Sequence, residues 1–414
     1  MKRVCLEYLT PGMVLAKDVT GIDGNVYLAA GAALDAAAID GLKTLGLPEA
    51  AIAYPPGQPD KDTEHAWLAA YVRNFFVFVD PDSAHLEALY RTCVDRAEQA
   101  LAAGWRLPCE YELRARHLAQ AADAAKRLDL FNRDYGNPED IVRHETELAS
   151  FPDITFRLQE VLDNPTSSAD DIARVVATDV GLTAKLLKLV NSSFYTFSTR
   201  VDSIQRAVSL VGVQELSTLA LGISAINFFK NIPPELLDMK SFWLHSLRCG
   251  IIAKLIAARL ANTQTERFFT AGLLHDVGRL IILKNLPHAA TESLLYAREN
   301  LVPHVEAERA VLGFDHGQVS GILLDRWRFP ASLTGIIAGH HDPLATAEPR
   351  EAAILQLADV LAVAAEITAG GMYVLPNPAP ESFDLLGLAP ADLPALLDAH
   401  DEQIETVAAI FLAQ

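Results

Sequence analysis

The sequence predicts a mainly α protein, a helical bundle preceded by a small β-rich domain. Three observations carry that expectation. From about residue 64 onward apolar residues recur at helical spacing almost without interruption. The first 54 residues instead show short apolar runs separated by Pro-Gly and Gly-rich turns. Clusters of Pro, Gly and Asn at 54–60 and 135–138 punctuate the chain between these stretches.

In the first stretch, Val4-Cys5-Leu6 reads as a strand, Pro11-Gly12 as a turn and 14–19 as a second strand. Gly21-Ile22-Asp23-Gly24-Asn25 reads as a hairpin turn leading into Val26-Tyr27-Leu28. A short helix follows, with Leu34, Ile39, Leu42 and Leu45 on one face, Asp35 placed to cap its start and Gly46 to end it. Pro55, Pro56 and Pro59 then mark the first boundary. Residues 64–132 read as a helical spacer broken at Val79-Asp80-Pro81-Asp82 and again at 105–108. Within it, 117–130 is Ala-rich with Arg, Lys and Asp on one side, as in an amphipathic helix packed on a neighbour.

After residue 138 the pattern stays helical nearly to the end. Ile172, Val175, Val176, Leu182, Leu186, Leu187 and Leu189 describe two helices broken at Asp179-Val180-Gly181. Ile204, Ala207, Val208 and Val211 restart a helix that Gly212 stops, and another runs on from Val213. The expected organisation is a β-rich domain over 1–54, a linker and helical spacer over 55–137, a helical domain over 138–345, and C-terminal helices over 346–414 that complete the bundle.

Composition narrows the function classes. With 50% hydrophobic and 21% charged residues the chain has the makings of folded cores. A formal charge of −19 with no useful Lys/Arg run argues against a nucleic-acid partner. Cys5, Cys93, Cys109 and Cys249 are widely spaced and form no CxxC, which fits reduced thiols in the cytoplasm and disfavours thiolate zinc. The longest apolar window, 216–229, is too short for a membrane span, and no signal-peptide core follows Met1. A cytoplasmic protein without membrane insertion is expected.

Against this background, ionisable residues stand at five places on apolar helical faces: His245, His275-Asp276, His316, His340-His341 and Asp359. His275-Asp276 lies inside the apolar helical run 271–281, where the two residues would point about 100° apart. Taken singly, each of the five is most simply a core residue satisfied by a hydrogen bond. Taken together, five of twelve histidines gathered at such positions is a donor set suited to a divalent metal, which helices of a bundle can converge on one point. His65, His85, His117, His288 and His304 are expected to be solvated.

The order His245, His275-Asp276, His316, His340-His341, Asp359 resembles the HD superfamily of metal-dependent phosphohydrolases. A closer resemblance rests on 179–192, 204–212, Trp243-Leu244-His245-Ser246, 271–280, Phe314-Asp315-His316 and Trp327-Arg328-Phe329-Pro330. These are similar to the HDOD domain, the HD-related output domain of bacterial signalling proteins. The first 54 residues are similar to the small domain that often precedes HD-GYP phosphodiesterases, through 9–16 and 24–31. The resemblance implies an all-helical HD-like fold, a regulatory role, and a metal site that is often degenerate. It makes His245, His275, Asp276, His316, His340, His341 and Asp359 the candidate ligands of Fe, Mn or Zn. No Gly-Tyr-Pro follows His341, so cyclic-di-GMP hydrolysis is not carried over. Arg279 replaces the usual Lys after HD-x-Gly, and Ser241 stands where two-metal enzymes carry a carboxylate one turn before the first His.

Two functions follow from these residues. One is a non-catalytic output or interaction module that works through a signalling partner or self-association. The alternative is a phosphohydrolase acting on a nucleotide or other phosphorylated small molecule, with Arg279 neutralising charge in the transition state.

Overall fold

The computed structural model describes residues 2–21, 24–45, 47, 49–53, 61–80, 82–105, 107, 136–148, 153–164, 166–195, 197, 199–229, 237–260, 265–300, 302–368 and 374–412. Several positions read from sequence lie outside them: Ile22 and Asp23 of the hairpin turn, Gly46, the cluster 54–60, Pro81, residues 106 and 108, the segment 117–130, and Tyr135. The described chain is mainly helical with a small antiparallel sheet near its N-terminus. It divides into two compact units. One comprises Met1–Val77, Tyr90–Ala122 and Glu366–Val374, the other Phe78–Leu89, Asp123–Ala365 and Leu375–Gln414.

In the first unit the strands Lys2–Cys5, Glu49–Ala53 and Val14–Leu15 form an antiparallel sheet in that spatial order. The central strand, Glu49–Ala53, escaped the sequence reading because Ala at three of its five positions blunts the period-two contrast, although Ala50 and Ile52 are its buried face. The expected single strand over 14–19 is two strands. Val19–Thr20 leaves the sheet and pairs with Val26–Leu28 as the anticipated hairpin, irregular between Val19 and Thr20. Asp35 caps the helix Ala36–Thr44 by accepting from Ala38 N at 2.7 Å. Leu15, Leu34, Leu42 and Ile52 are almost fully buried in this unit's apolar core.

The described residues of the second unit form helices and no strand. Ala169–Val176 and Val180–Val190 meet at Asp179, whose carboxylate accepts from Leu182 N at 2.9 Å. Ile204–Val211 is capped by Ser203 and stopped by Gly212, whose φ of +108° an L side chain rarely tolerates. Val213–Phe228 follows directly. The helices Met239–Ala258, Glu266–Leu274, Val277–Asn285, His304–Leu312, His316–Arg326, Ala331–Ala338 and Pro349–Ala365 surround the polar cluster considered next. Pro380–Leu386 and Asp392–Phe411 follow them.

A second polar group, largely buried with a side chain 14% exposed, lies in the same unit. Lys254 Nζ donates to Phe194 O at 3.1 Å and lies 3.6 Å from Glu266 Oε1. It also sits 3.6 and 4.0 Å over the rings of Phe194 and Tyr195. Among the described residues no single helix is long and apolar enough to cross a membrane; Ile204–Val211 and Val213–Ile226 pass that test only as a pair bent by 117°.

Candidate metal centre

The apolar face that His245 shares with Cys249, Ile252 and Ile256 predicts a helix beginning near Phe242, and His245 stands on the second turn of Met239–Ala258. The helix begins earlier because Asp238 caps it, accepting from Lys240 N at 3.0 Å. Ser241 Oγ donates to Asp238 Oδ2 at 2.6 Å, so the position one turn before His245 serves the cap.

The pair His275-Asp276 does not sit inside one continuous helix. Glu266–Leu274 ends before it, and Val277–Asn285 starts after Asp276, whose φ of −98° and ψ of 4° turn the chain. Ser320 takes up backbone groups at the break: its Oγ donates to His275 O and accepts from Gly278 N, both at 2.8 Å. Two glycines make the crossings close enough. A Cβ on Gly278 would lie 2.0 Å from His316 O, and one on Gly272 2.4 Å from Gly250 N on the His245 helix.

His316 opens the helix His316–Arg326, capped by Asp315, which accepts from Gln318 N at 3.0 Å. Pro330 in the sequence predicts the end of that helix, but the helix ends before Trp327 because Arg328, at φ +56°, turns the chain first. The place of His340-His341 just before Pro343 predicts that the pair closes a helix, but it lies in the turn after Ala331–Ala338. Asp359 comes from the middle of Pro349–Ala365.

These elements bring all seven predicted side chains together. His245 Nε2 is 3.1 Å from Asp359 Oδ1, and His275 Nε2 is 3.8 Å from the same oxygen and 3.4 Å from Asp276 Oδ1. His316 Nε2 lies 3.0 Å from Asp276 Oδ1 and 2.8 Å from His341 Nε2. The His340 ring is centred 5.2 Å from that of His275 and 3.8 Å from that of His341. Arg279 Nη1 donates to Asp276 Oδ2 at 2.9 Å, fixing the oxygen that faces away from the imidazoles.

Protonation follows from these contacts. Burial favours the neutral ring in His275, outweighing the carboxylates of Asp276 and Asp359, and lowers His340 to about 4 with help from its histidine neighbours. His341 is held well below the ordinary histidine range by burial and by His340 and His316. Burial also opposes the charged form of His316, yet Glu308 and Asp276 raise that ring to about 9. Asp276 stays ionised against its burial because the Arg279 guanidinium and the charged His316 ring flank it; Asp359 does so chiefly through the hydrogen bond from His245.

Two participants were missed in the sequence. Glu308 is 2% exposed, with Oε2 2.5 Å from His316 Nδ1 and accepting from His316 N at 3.0 Å. Burial would raise its pKa, but His316 lowers it to about 2. His304, expected to be solvated, lies 3.5 Å from Glu308 Oε1 and 3.3 Å from Arg279 Nη2. The one signal available was the i, i+4 spacing of His304 and Glu308, which is common on ordinary surface helices.

The donor set fits a divalent metal. His275 Nδ1 donates to Gly272 O at 2.8 Å and His340 Nδ1 to Ile337 O at 2.7 Å. Each neutral ring therefore turns the lone pair of Nε2 inward, and both Nε2 atoms are buried without a hydrogen-bond partner. Ligands on one ion at bond lengths near 2.1 Å lie about 3 to 3.5 Å apart when adjacent, close to most of the separations above. The ligating atoms of His245, His275 and Asp276, of His275, His340 and Asp359, and of His316, His340 and His341 each fall within 4.8 Å of one another. Glu308 on His316 Nδ1 has the form of a carboxylate that orients a ligating imidazole.

A family profile for the HDOD domain matches residues 148–343. An uncharacterized protein of Treponema pallidum is 24% identical over 62% of this chain, and the match spans 46% of that relative's length. Among solved structures, the chain is similar to a protein of Shewanella amazonensis provisionally named a phosphohydrolase, at 23% identity and a TM-score of 0.52. That match covers 66% of this chain and 97% of the other. It is also similar to a protein of Marinobacter aquaeolei provisionally named for signal transduction, at 22% identity and a TM-score of 0.51, over 72% of this chain and 66% of the other. At these identities the structural likenesses speak for the fold, and the profile supplies the family: residues 148–343 of this chain are an HDOD domain.

Proposed function

We propose that the protein is a bacterial signal-transduction module whose HDOD domain is a non-catalytic output element built around a bound Fe, Mn or Zn ion, with His245, His275, Asp276, His316, His340, His341 and Asp359 as the ligand set. Burial carries this reading. The side chains of His275, Asp276 and His316 are only 1–4% exposed, and Arg279 already holds the outer oxygen of Asp276. Such a centre ties helices together and leaves little room for a phosphoester to reach it. Its state would be passed to a signalling partner or a second copy of the chain. The bundle in this reading includes 346–414 as well as 138–345, because Asp359 completes the donor set; 1–54 and 55–137 are a preceding β-rich domain and spacer. Cys5, Cys93 and Cys249 are buried and form no disulfide among the described residues, which fits a reducing cytoplasm.

A second reading, a metal-dependent phosphohydrolase, is favoured by one observation. The Arg279 side chain, bonded to Asp276 through Nη1, is 32% exposed, so its guanidinium offers a phosphoryl group a cation at the rim of the cluster. A bound divalent metal would supply Lewis-acid polarisation of a phosphoryl oxygen. Elemental analysis of the purified chain, followed by assay against nucleotides and cyclic dinucleotides, separates the two. Stoichiometric metal without turnover is expected. Turnover abolished by Asp276→Ala would transfer the case to the enzyme, and a metal-free protein whose stability ignores chelator would overturn both.

A further inference from the structure

Gln356 is 5% exposed and stands one turn ahead of Asp359 on Pro349–Ala365. Its amide holds three partners. Nε2 donates to His341 O at 3.1 Å, while Oε1 accepts from Ala379 N at 3.0 Å and from Ser382 Oγ at 2.8 Å. One side chain therefore joins the turn carrying His340-His341 to the first turn of Pro380–Leu386, from the same rigid helix that presents Asp359. The helix Pro380–Leu386 is itself held at its other end. His85 stacks on Phe383 at 4.2 Å between centroids and 8° between planes, and its Nε2 donates to Leu388 O at 2.8 Å.

We propose that Gln356 is a positioning residue of the metal centre. It sets where the His341 main chain lies relative to Asp359, and it makes the segment 379–388, beyond the matched HDOD range, part of the shell that supports the ligands. A capping role for Pro380–Leu386 alone would use only Oε1. The bond from Nε2 to His341 O is the one that a cap does not need.

The inference rests on the metal-centre reading, and the test keeps the two apart. Metal-free full-length protein is titrated with Co(II) alone, following visible absorption. Gln356→Glu keeps acceptors for Ala379 N and Ser382 Oγ but removes the donor to His341 O, while its added negative charge would by itself favour a cation. Co(II) affinity is expected to fall roughly 10- to 100-fold in this variant, with an altered absorption band at saturation. Ser382→Ala, a milder change that leaves Gln356 in place, is expected to weaken binding about three- to fivefold, and it decides the question if the first variant does not fold. Affinities within about twofold of the parent and unchanged bands would reduce Gln356 to a structural residue. A parent protein that binds no Co(II) would overturn the metal centre itself and the positioning role with it.

Discussion

Lys254 and the candidate metal centre both place charge out of water in the same helical unit, but they balance it differently. At Lys254 the chain brings its own cation, set against Glu266, the Phe194 carbonyl and two aromatic faces. At the centre the buried carboxylates Asp276, Asp359 and Glu308 face rings of which three, His275, His340 and His341, are held neutral. Two of those rings turn unpartnered nitrogens toward the middle. The first cluster meets its own charge and leaves over only the Tyr195 hydroxyl, whereas the second turns ligating lone pairs toward one point and is arranged to receive something. A buried charge thus reveals a metal site when its neighbours leave convergent lone pairs over.

The largest expected effect tests how far the centre depends on its own carboxylates. Glu308→Ala removes one of the two carboxylates that charge His316, which is 1% exposed, and orphans the His316 backbone N–H, so it should lower unfolding free energy by about 3 kcal/mol in urea. Glu266→Ala should cost less, because Lys254 keeps the Phe194 carbonyl and its ring contacts. Equal losses would erase the distinction between the two clusters.

Next in size is a pH effect confined to the Lys254 cluster. Burial lowers the Lys254 ammonium from 10.5 to about 8, with Glu266 opposing. The unfolded chain therefore binds more protons between about pH 8 and 10.5, and stability should rise with pH across that window by on the order of 3 kcal/mol. Urea titrations of the parent minus those of Lys254→Met isolate the rise; an unchanged slope in the variant would remove Lys254 as its source.

Metal addition sharpens the comparison from the other side. At a hundredfold excess over Kd, Zn(II) or Mn(II) should stabilise chelator-treated protein by about 2.7 kcal/mol. Lys254→Met should leave that gain unchanged, whereas His275→Ala should abolish it in thermal melts. The smallest effect concerns Tyr195, whose hydroxyl is buried without a hydrogen-bond partner. Tyr195→Phe should leave stability unchanged or raise it by up to about 1 kcal/mol, read as a small increase in Tm.

Much of this was legible in the sequence, for identifiable reasons. Asp35, Asp179 and Gly212 act over a few residues, so the helix ends they set were readable. The seven donors stood out because ionisable groups on apolar faces break a strong local pattern. Glu308 did not, since its helix also carries Glu306 and nothing local distinguishes the buried carboxylate from its neighbour. Gln356 was hidden for the same reason: its three partners lie 15 to 26 residues away. The break at His275-Asp276 depends on Ser320, which reaches the pair from a helix some 45 residues further on.

The position of Asp359 has a practical consequence for transplanting this module. A segment cut at the family boundaries, 148–343, would carry six of the seven donors and leave behind Asp359, Gln356 and Pro380–Leu386. Fused to a foreign domain, that fragment would hold its imidazoles around a hole in the negative charge. The exchangeable piece is longer than the recognisable one, and a chimera should run through at least Leu388.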